Sequence, residues 1–341
     1  MIKVTIIIPV YNVENYIDRC LNSVIQQDYP FIDCILVNDF STDKSLDILN
    51  LIIGNYKGDV NFTILNHPSN KGAAASRNLG IQHSETDYIY FLDSDDEIYP
   101  DTISNLVNRV EKFPDVDIVQ GEMYCENKTL NKILSIKNKN FPNYTNDLEW
   151  LRNYFLLDIP VSPCNKLINL KFLKENKIYF EEGVVHEDIL WRFNLARFVN
   201  SIAFTTRVGY KYNFNSDSVM ASPENDIKRI DSQIYVIAYI SSHLSSKFSY
   251  VENLSLLKQF HYAKLMDVLV ENNKYRNSLL KEQIEIKLKD AELSTLFKIS
   301  YLILSSDNFF KSFSWLWDKN MGVLFRIAKY KTRLALHKTN E

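Results

Sequence analysis

Within residues 1–100, short apolar runs alternate with helical spacing, and each run ends in a polar cluster. Residues 4–10, "VTIIIPV", form a continuous apolar run, as expected of a strand covered on both faces. Helical spacing follows through Val13, Tyr16, Ile17, Cys20, Leu21, Val24 and Ile25. A second strand, "CILVN" at 34–38, ends in polar "DFSTDKS", and Leu46, Leu49, Ile52, Ile53 and Tyr56 then restore the helical period. A third strand, "FTILN" at 62–66, precedes a helix around "AAASRNLGIQ", and a fourth occupies 88–92. Strand and helix repeated in this way specify an α/β domain, Rossmann-like, with a mostly parallel sheet and helices on both faces. In open sheets of this kind, ligands bind outside the carboxyl ends of the strands, where the polar clusters fall.

Beyond residue 100 the alternation loosens. Pro100 opens a helix through 112, and "VDIVQGEMYC" at 116–125 reads as a strand. Residues 187–199 read as helix and 202–214 as a pair of short strands. After about residue 225 the chain reads as helical and holds one glycine, Gly322. We therefore divide it into an α/β domain at 1–222, with halves at 1–100 and 101–222, and a helical C-terminal region at 223–341.

With 341 residues, 46% hydrophobic and 24% charged, the chain can bury a sizeable core. Its net charge of -3 gives no general reason to expect nucleic acid. Cys20, Cys34, Cys125 and Cys164 lie far apart without a CxxC pair, which favours reduced thiols over a disulfide framework. No HxxxH pair suggests zinc. The apolar N-terminal run is short, contains Pro9 and leads at once to Asn12, Glu14 and Asp18, unlike a secretory signal. No stretch approaches the ~20 apolar residues that span a bilayer. These features imply a cytoplasmic protein.

No GxGxxG follows the first strand, and no GxxxxGK occurs, which argues against dinucleotide oxidoreductases and P-loop enzymes. The first loops instead carry "PVYN" (9–12) and "NDFSTD" (38–43). Asp39, just past a strand, can accept from a nucleobase imide or a ribose hydroxyl, or can serve with its neighbours as a helix cap. In "NKGAAASRNLGI" (70–81), Lys71 and Arg77 suit a diphosphate, and the small residues allow close backbone approach. The same alanines equally suit tight helix–sheet packing. In "YIYFLDSDDEIYP" (88–100), an apolar strand runs into Asp93, Asp95, Asp96 and Glu97. Like charges so close repel unless solvent or a cation takes up the field. If the chain stays extended there, Asp93 and Asp95 face the same way and suit a hard divalent cation such as Mg²⁺ or Mn²⁺. A solvated acidic turn is the plainer alternative.

Taken together and in this order, "PVYN", "NDFSTD", "NKGAAASRNLGI" and "FLDSDD" resemble the nucleotide-sugar domain of family-2 glycosyltransferases, which have the GT-A fold. "CNKLIN" (164–169), "HEDILW" (186–191) and "YKYNFNSDSVMAS" (210–222) resemble later segments of bacterial members that build capsule, exopolysaccharide or lipopolysaccharide. The resemblance implies that 1–100 is the nucleotide-binding half and 101–222 the acceptor half. It implies that Pro9, Tyr11, Asp39, Lys71, Arg77 and Asp93 line the donor nucleotide. Asp39 would meet uracil or ribose, and Arg77 would lie near the base or diphosphate. Asp93 and Asp95 would hold Mn²⁺ or Mg²⁺. Asp188 would be the catalytic base, with Glu187 orienting the base or the acceptor. Lys166, His186, Tyr212 and Ser218 are candidate acceptor or lid contacts, or packing and turn residues. The implied reaction is inverting transfer from a nucleotide-sugar, foremost a UDP-sugar, to a hydroxyl of a glycan or glycolipid acceptor. One departure stands out: Phe40 occupies a position where the family usually has Gly, which implies a different loop shape.

Two other readings compete. A nucleotidyltransferase that makes sugar nucleotides would need a Gly-rich basic loop after the first strand, where this chain has "YNVENY". A non-catalytic nucleotide-sugar-binding subunit should have lost acids that are present here. A homo-oligomer is left open. The tail at 309–341 carries seven basic residues against Asp318 and Glu341, a local charge of 7 − 2 = +5, among large apolar or aromatic residues that include Phe309, Phe310, Phe313, Trp315, Trp317 and Phe325. That mixture suits peripheral contact with anionic lipid at the inner face of a membrane, or packing on protein.

Overall fold

The computed structural model describes residues 1–127, 132–135, 141–158 and 162–213, with Ser232, Tyr235, Val236, Tyr239 and Ile240 as further helical residues. The expected boundary at 222–223, Ser218, the tail 309–341 and all but those few residues of the helical region lie outside them.

The alternation becomes β1 (Val4–Val10), α1 (Ile17–Ile25), β2 (Ile32–Asn38), α2 (Ser45–Asn55), β3 (Asn61–Asn66), α3 (Ala73–His83) and β4 (Tyr88–Phe91). There follow β5 (Glu97–Ile98), α4 (Thr102–Lys112), β6 (Ile118–Asn127), β7 (Lys132–Ser135), β8 (Tyr144–Thr145) and α5 (Leu148–Asn153), which runs into one π-helical turn at Tyr154–Asp158. The described chain continues with β9 (Lys166–Asn169), α6 (Leu170–Glu175), α7 (Glu187–Phe198) and β10 (Ile202–Tyr212). Among the described residues all ten strands join one sheet, ordered β3-β2-β1-β4-β9-β6-β10-β5, with β7 beside β6 and β8 beside β10. β1 to β4, β6 and β10 point one way; β9, β5, β7 and β8 run against them. The sheet is mixed but mostly parallel, as expected.

The apolar runs are buried because helices cover both faces. Ile6, Ile7, Ile8, Leu36, Val37, Ile89 and Tyr90 have essentially no exposed surface. On α1, Ile17, Cys20, Leu21 and Val24 form the covered stripe. α3 lies so close to β1 that a Cβ on Gly80 would stand 2.4 Å from Ile7 Cγ2. Cys20, Cys34 and Cys164 are buried free thiols.

Two expectations need correction. Residues 202–212 form one strand, not two: its register on β6 shifts between Phe204 and Val208 and again before Tyr210. The exposed Thr206 and Arg207 mark that irregularity and mimic a hairpin turn in the sequence. β9, short and antiparallel, inserts between β4 and β6 and was not expected as a strand.

The topology creates a crevice. From β1 the chain adds β2 and then β3 on one side, and returns to add β4 on the other side of β1. β1 pairs β4 only from Val4–Tyr88 to Ile7–Phe91, while its pairing with β2 continues to Val10–Asn38. Pro9, which has no N–H to give a ladder, falls where β1 has left β4. The carboxyl ends therefore separate at the point where strand order reverses, the usual ligand position in such sheets.

Candidate active site

The acidic stretch after β4 is a turn, not the extended chain expected: the Asp96 N–H donates to the Asp93 carbonyl at 3.0 Å. Burial nonetheless alternates, with Asp93, Asp95 and Glu97 half-buried and Ser94 and Asp96 inside. The like charges are dispersed by separate partners. Asp93 Oδ1 accepts from Arg77 Nη2 at 2.8 Å. Glu97 pairs with Lys211 at 3.0 Å and, more loosely, with Arg19 at 3.9 Å. Arg19 Nη2 also donates to the Asp95 carbonyl at 2.7 Å, tying α1 to the turn. Asp96 accepts from Tyr210 Oη at 2.6 Å and from the Asn213 N–H at 2.8 Å. Burial, followed by the charge of Asp93, nevertheless pushes the Asp96 carboxyl up to about 8. The end of β10 thus braces the acidic turn, a role that motif reading assigned to neither Tyr210 nor Asn213.

Arg77 joins two parts of the site that lie far apart in sequence. It projects from α3, is 7% exposed, and its Nη1 donates to Glu187 Oε1 at 3.1 Å while Nη2 holds Asp93. Its guanidinium lies 5.3 Å from the centre of the Phe180 ring, which stacks on Trp191 at 4.9 Å and 3°. Asn78, the next residue on α3, clamps Phe180 through both its N–H (2.8 Å) and its carbonyl (2.9 Å). Burial works against the charge on Arg77; Asp93 first, with Cys164 and Glu187, opposes it, and the pKa lies above its ordinary value. Sequence reading placed Arg77 near the base or diphosphate. In this structure both terminal nitrogens are engaged with acids of the site, so Arg77 bridges the turn after β4 and the start of α7.

α7 begins at Glu187, with His186 at its N-cap, so Glu187 and Asp188 occupy the first turn, where the helix dipole favours negative charge. Burial raises the Glu187 carboxyl, and Arg77 opposes that rise. Asp188 Oδ1 accepts from the Ile189 N–H at 2.8 Å. Asp93, Arg77 and Glu187 are thus consecutive members of one ion-pair chain, with Asp188 adjacent to its end.

At the ends of β2 and β3, Asp39 is 3% exposed and accepts from the backbone N–H groups of Lys71 (2.8 Å) and Gly72 (2.7 Å). It therefore shapes the loop that starts α3, where Gly72 takes φ 88. Ala74 and Ala75 are buried, as the packing reading of the alanine run requires, and the Lys71 side chain is exposed. Phe40 adopts φ 63, the left-handed conformation that Gly would take freely. Tyr11 and Tyr212 are 45% and 43% exposed at the strand ends.

Lys166 is not presented to the surface. On β9 and 2% exposed, it donates to the Ser162 carbonyl at 2.7 Å and the Cys164 carbonyl at 3.2 Å, and burial lowers its pKa to about 7. Among the described residues, no group of three or more His, Cys, Asp or Glu side chains is placed to enclose a metal. Asp93 and Asp95 do supply hard oxygen donors, and a Mg²⁺-type ion held by one or two carboxylates and completed by substrate phosphates needs no larger protein cage. No helix among the described residues is long and apolar enough to cross a membrane.

Comparison with known proteins places the chain in a family and a fold. An uncharacterised glycosyltransferase of Escherichia coli, YibD, is 26% identical over 267 residues, covering 76% of this chain and 75% of that protein. A poly(ribitol-phosphate) beta-glucosyltransferase of Bacillus spizizenii is 31% identical over 232 residues, covering 65% of this chain. The match spans only 35% of that longer enzyme. The fold is that of Staphylococcus aureus TarS residues 1–349, solved with UDP-GlcNAc, at a TM-score of 0.55, 21% identity and 84% coverage of both chains. The family model "Glycosyl transferase family 2" matches residues 5–175, from β1 to the end of α6, and the chain belongs to that family.

Proposed function

We propose that the protein transfers a sugar from a UDP-sugar to a hydroxyl of a cell-surface polymer, with inversion at the anomeric carbon. The observation that carries this reading is the Arg77 bridge, which brings the acids after β4 and the acids opening α7 to one crevice. The UDP-GlcNAc held by TarS and the polymer acceptor named for the Bacillus enzyme support the choice of substrates.

Transfer breaks the bond between the anomeric carbon and the diphosphate, and the departing diphosphate gains negative charge. A divalent cation held by Asp93 and Asp95 would supply Lewis-acid stabilisation of that charge. The acceptor hydroxyl is a weak nucleophile, and Asp188 accepts its proton as it attacks. Glu187, fixed by Arg77, orients the acceptor beside that base. Arg77 also balances the charge of Asp93 before the donor arrives. Attack opposite the leaving group inverts the centre, so an α-linked donor gives a β-linkage.

The test is release of UDP from a panel of UDP-sugars with a polyol-phosphate or glycan acceptor, with Mn²⁺ and with chelator. Acceptor-dependent, cation-dependent UDP release supports the reading. Release from no UDP-sugar, alongside turnover of another nucleotide-sugar, would overturn the choice of donor.

A further inference from the structure

Phe40 is costly where it stands. It follows Asp39 at the end of β2, takes φ 63, and is 52% exposed. A left-handed conformation is disfavoured for any residue with a Cβ and persists only where the surroundings fix it. Here they do so on both sides. The Asp39 N–H donates to the Val10 carbonyl at 2.8 Å, and its carboxylate holds the amides of Lys71 and Gly72. The Ser41 N–H donates to Asn38 Oδ1 at 3.1 Å, and the Thr42 N–H to Asn12 Oδ1 at 2.8 Å. The backbone is clamped in a shape that glycine would adopt without strain, yet the side chain is a large aromatic ring left half in water.

The surroundings suit one kind of ligand. Val10 and Asn38 are paired in register, so Tyr11 lies one residue beyond that pair and Phe40 two, both exposed at the carboxyl edge. On the next strand end, His67 donates its N–H to the Asn38 carbonyl at 3.0 Å. Exposed aromatic surface at this strand edge fits a flat heteroaromatic base, since every base offers a π face to stack upon. We propose that Phe40 forms one wall of the pocket for the donor's nucleobase and contributes directly to nucleoside diphosphate affinity. This rests on the nucleotide-sugar reading above and assigns a binding role to a residue that departs from the family's usual glycine.

The experiment measures UDP affinity by calorimetry and thermal unfolding for wild type, Phe40→Gly, Phe40→Ala and Phe40→Trp. Gly and Ala both remove the ring, but only Gly relieves the backbone. Both should weaken UDP by roughly tenfold, the scale of one lost base–aromatic contact, while Trp stays within about threefold of wild type. Phe40→Gly should unfold at a higher temperature than Phe40→Ala, so affinity will not follow stability. Inhibition by pyrophosphate, which lacks a base, should be unchanged in all three. Wild-type UDP affinity in the Gly and Ala variants would overturn this inference alone, as would an equal loss for UDP and pyrophosphate. A wild type that binds no UDP would overturn the donor reading and this inference with it.

Discussion

Replacing Arg77 by Met removes the bridge while keeping an unbranched aliphatic stem over Phe180. Two charged hydrogen bonds disappear, at 2.8 Å to Asp93 and 3.1 Å to Glu187. Such bonds contribute about 1.5–3 kcal/mol each, and removing one partner of a buried ion pair costs about 3–5 kcal/mol. The Asp93 side chain is 32% exposed, so water recovers part of its loss, whereas Glu187 at 17% is left poorly solvated. We expect a loss of about 3 kcal/mol at pH 8, or a Tm lowered by about 6–12 °C for a unit of this size. The direction with pH follows from Glu187. Burial raises its folded pKa and Arg77 pulls it back, so without Arg77 it rises further. A carboxyl raised in the folded state binds more protons folded than unfolded between its two pKa values. Its presence therefore costs stability as pH rises through that window, and the variant's deficit shrinks as pH falls toward 5. Urea unfolding of both proteins from pH 5 to pH 8 measures this. A deficit below about 1 kcal/mol at pH 8, or one that grows on acidification, would refute the bridge as a structural link.

Lys166→Met should flatten part of the pH dependence of stability. A lysine lowered to about 7 in the fold loses its proton there before the unfolded chain does. Wild type should therefore gain up to about 1.4 kcal/mol per pH unit relative to the variant between pH 7 and 9; parallel curves would mean an ordinary lysine. Gly80→Ala should cost about 1–2 kcal/mol in denaturant melts despite its better helix propensity, because the new Cβ meets the buried, β-branched Ile7. The basic, aromatic tail at 309–341 lies outside the described residues; its composition predicts sedimentation with vesicles containing anionic lipid. Its deletion should abolish that sedimentation and leave UDP binding intact.

The parallel half of the sheet was legible because its strands, buried on both faces, leave continuous apolar runs, and each leads into a helical period. β9 was not, because four residues carry no period of their own and its place between β4 and β6 depends on long-range pairing. The kink in β10 looked like a turn because its exposed polar residues interrupt the apolar pattern, although the backbone continues along β6. In the site, Asp93, Arg77, Glu187 and Asp188 were each legible as motif members. Their connection was not: Arg77 and Glu187 lie 110 positions apart, and the Asn78 clamp on Phe180, with Phe180 stacked on Trp191 of α7, belongs to the long-range packing between them. Asp39 shows a different limit. Its position after a strand marked it for ligand binding, and the structure shows that its carboxylate also holds the loop before α3. At Phe40, surrounding hydrogen bonds hold a left-handed backbone that residue type alone did not announce.

In the proposed mechanism the acids opening α7 perform proton transfer while the strand ends hold the donor. Asp188→Asn separates the two most directly, with UDP affinity and sugar transfer measured on the same preparation. UDP affinity should stay within about twofold of wild type and transfer should fall by roughly 10²–10⁴-fold, the usual contribution of a general base. Transfer at the wild-type rate, or a loss fully explained by weaker UDP binding, would contradict that mechanism.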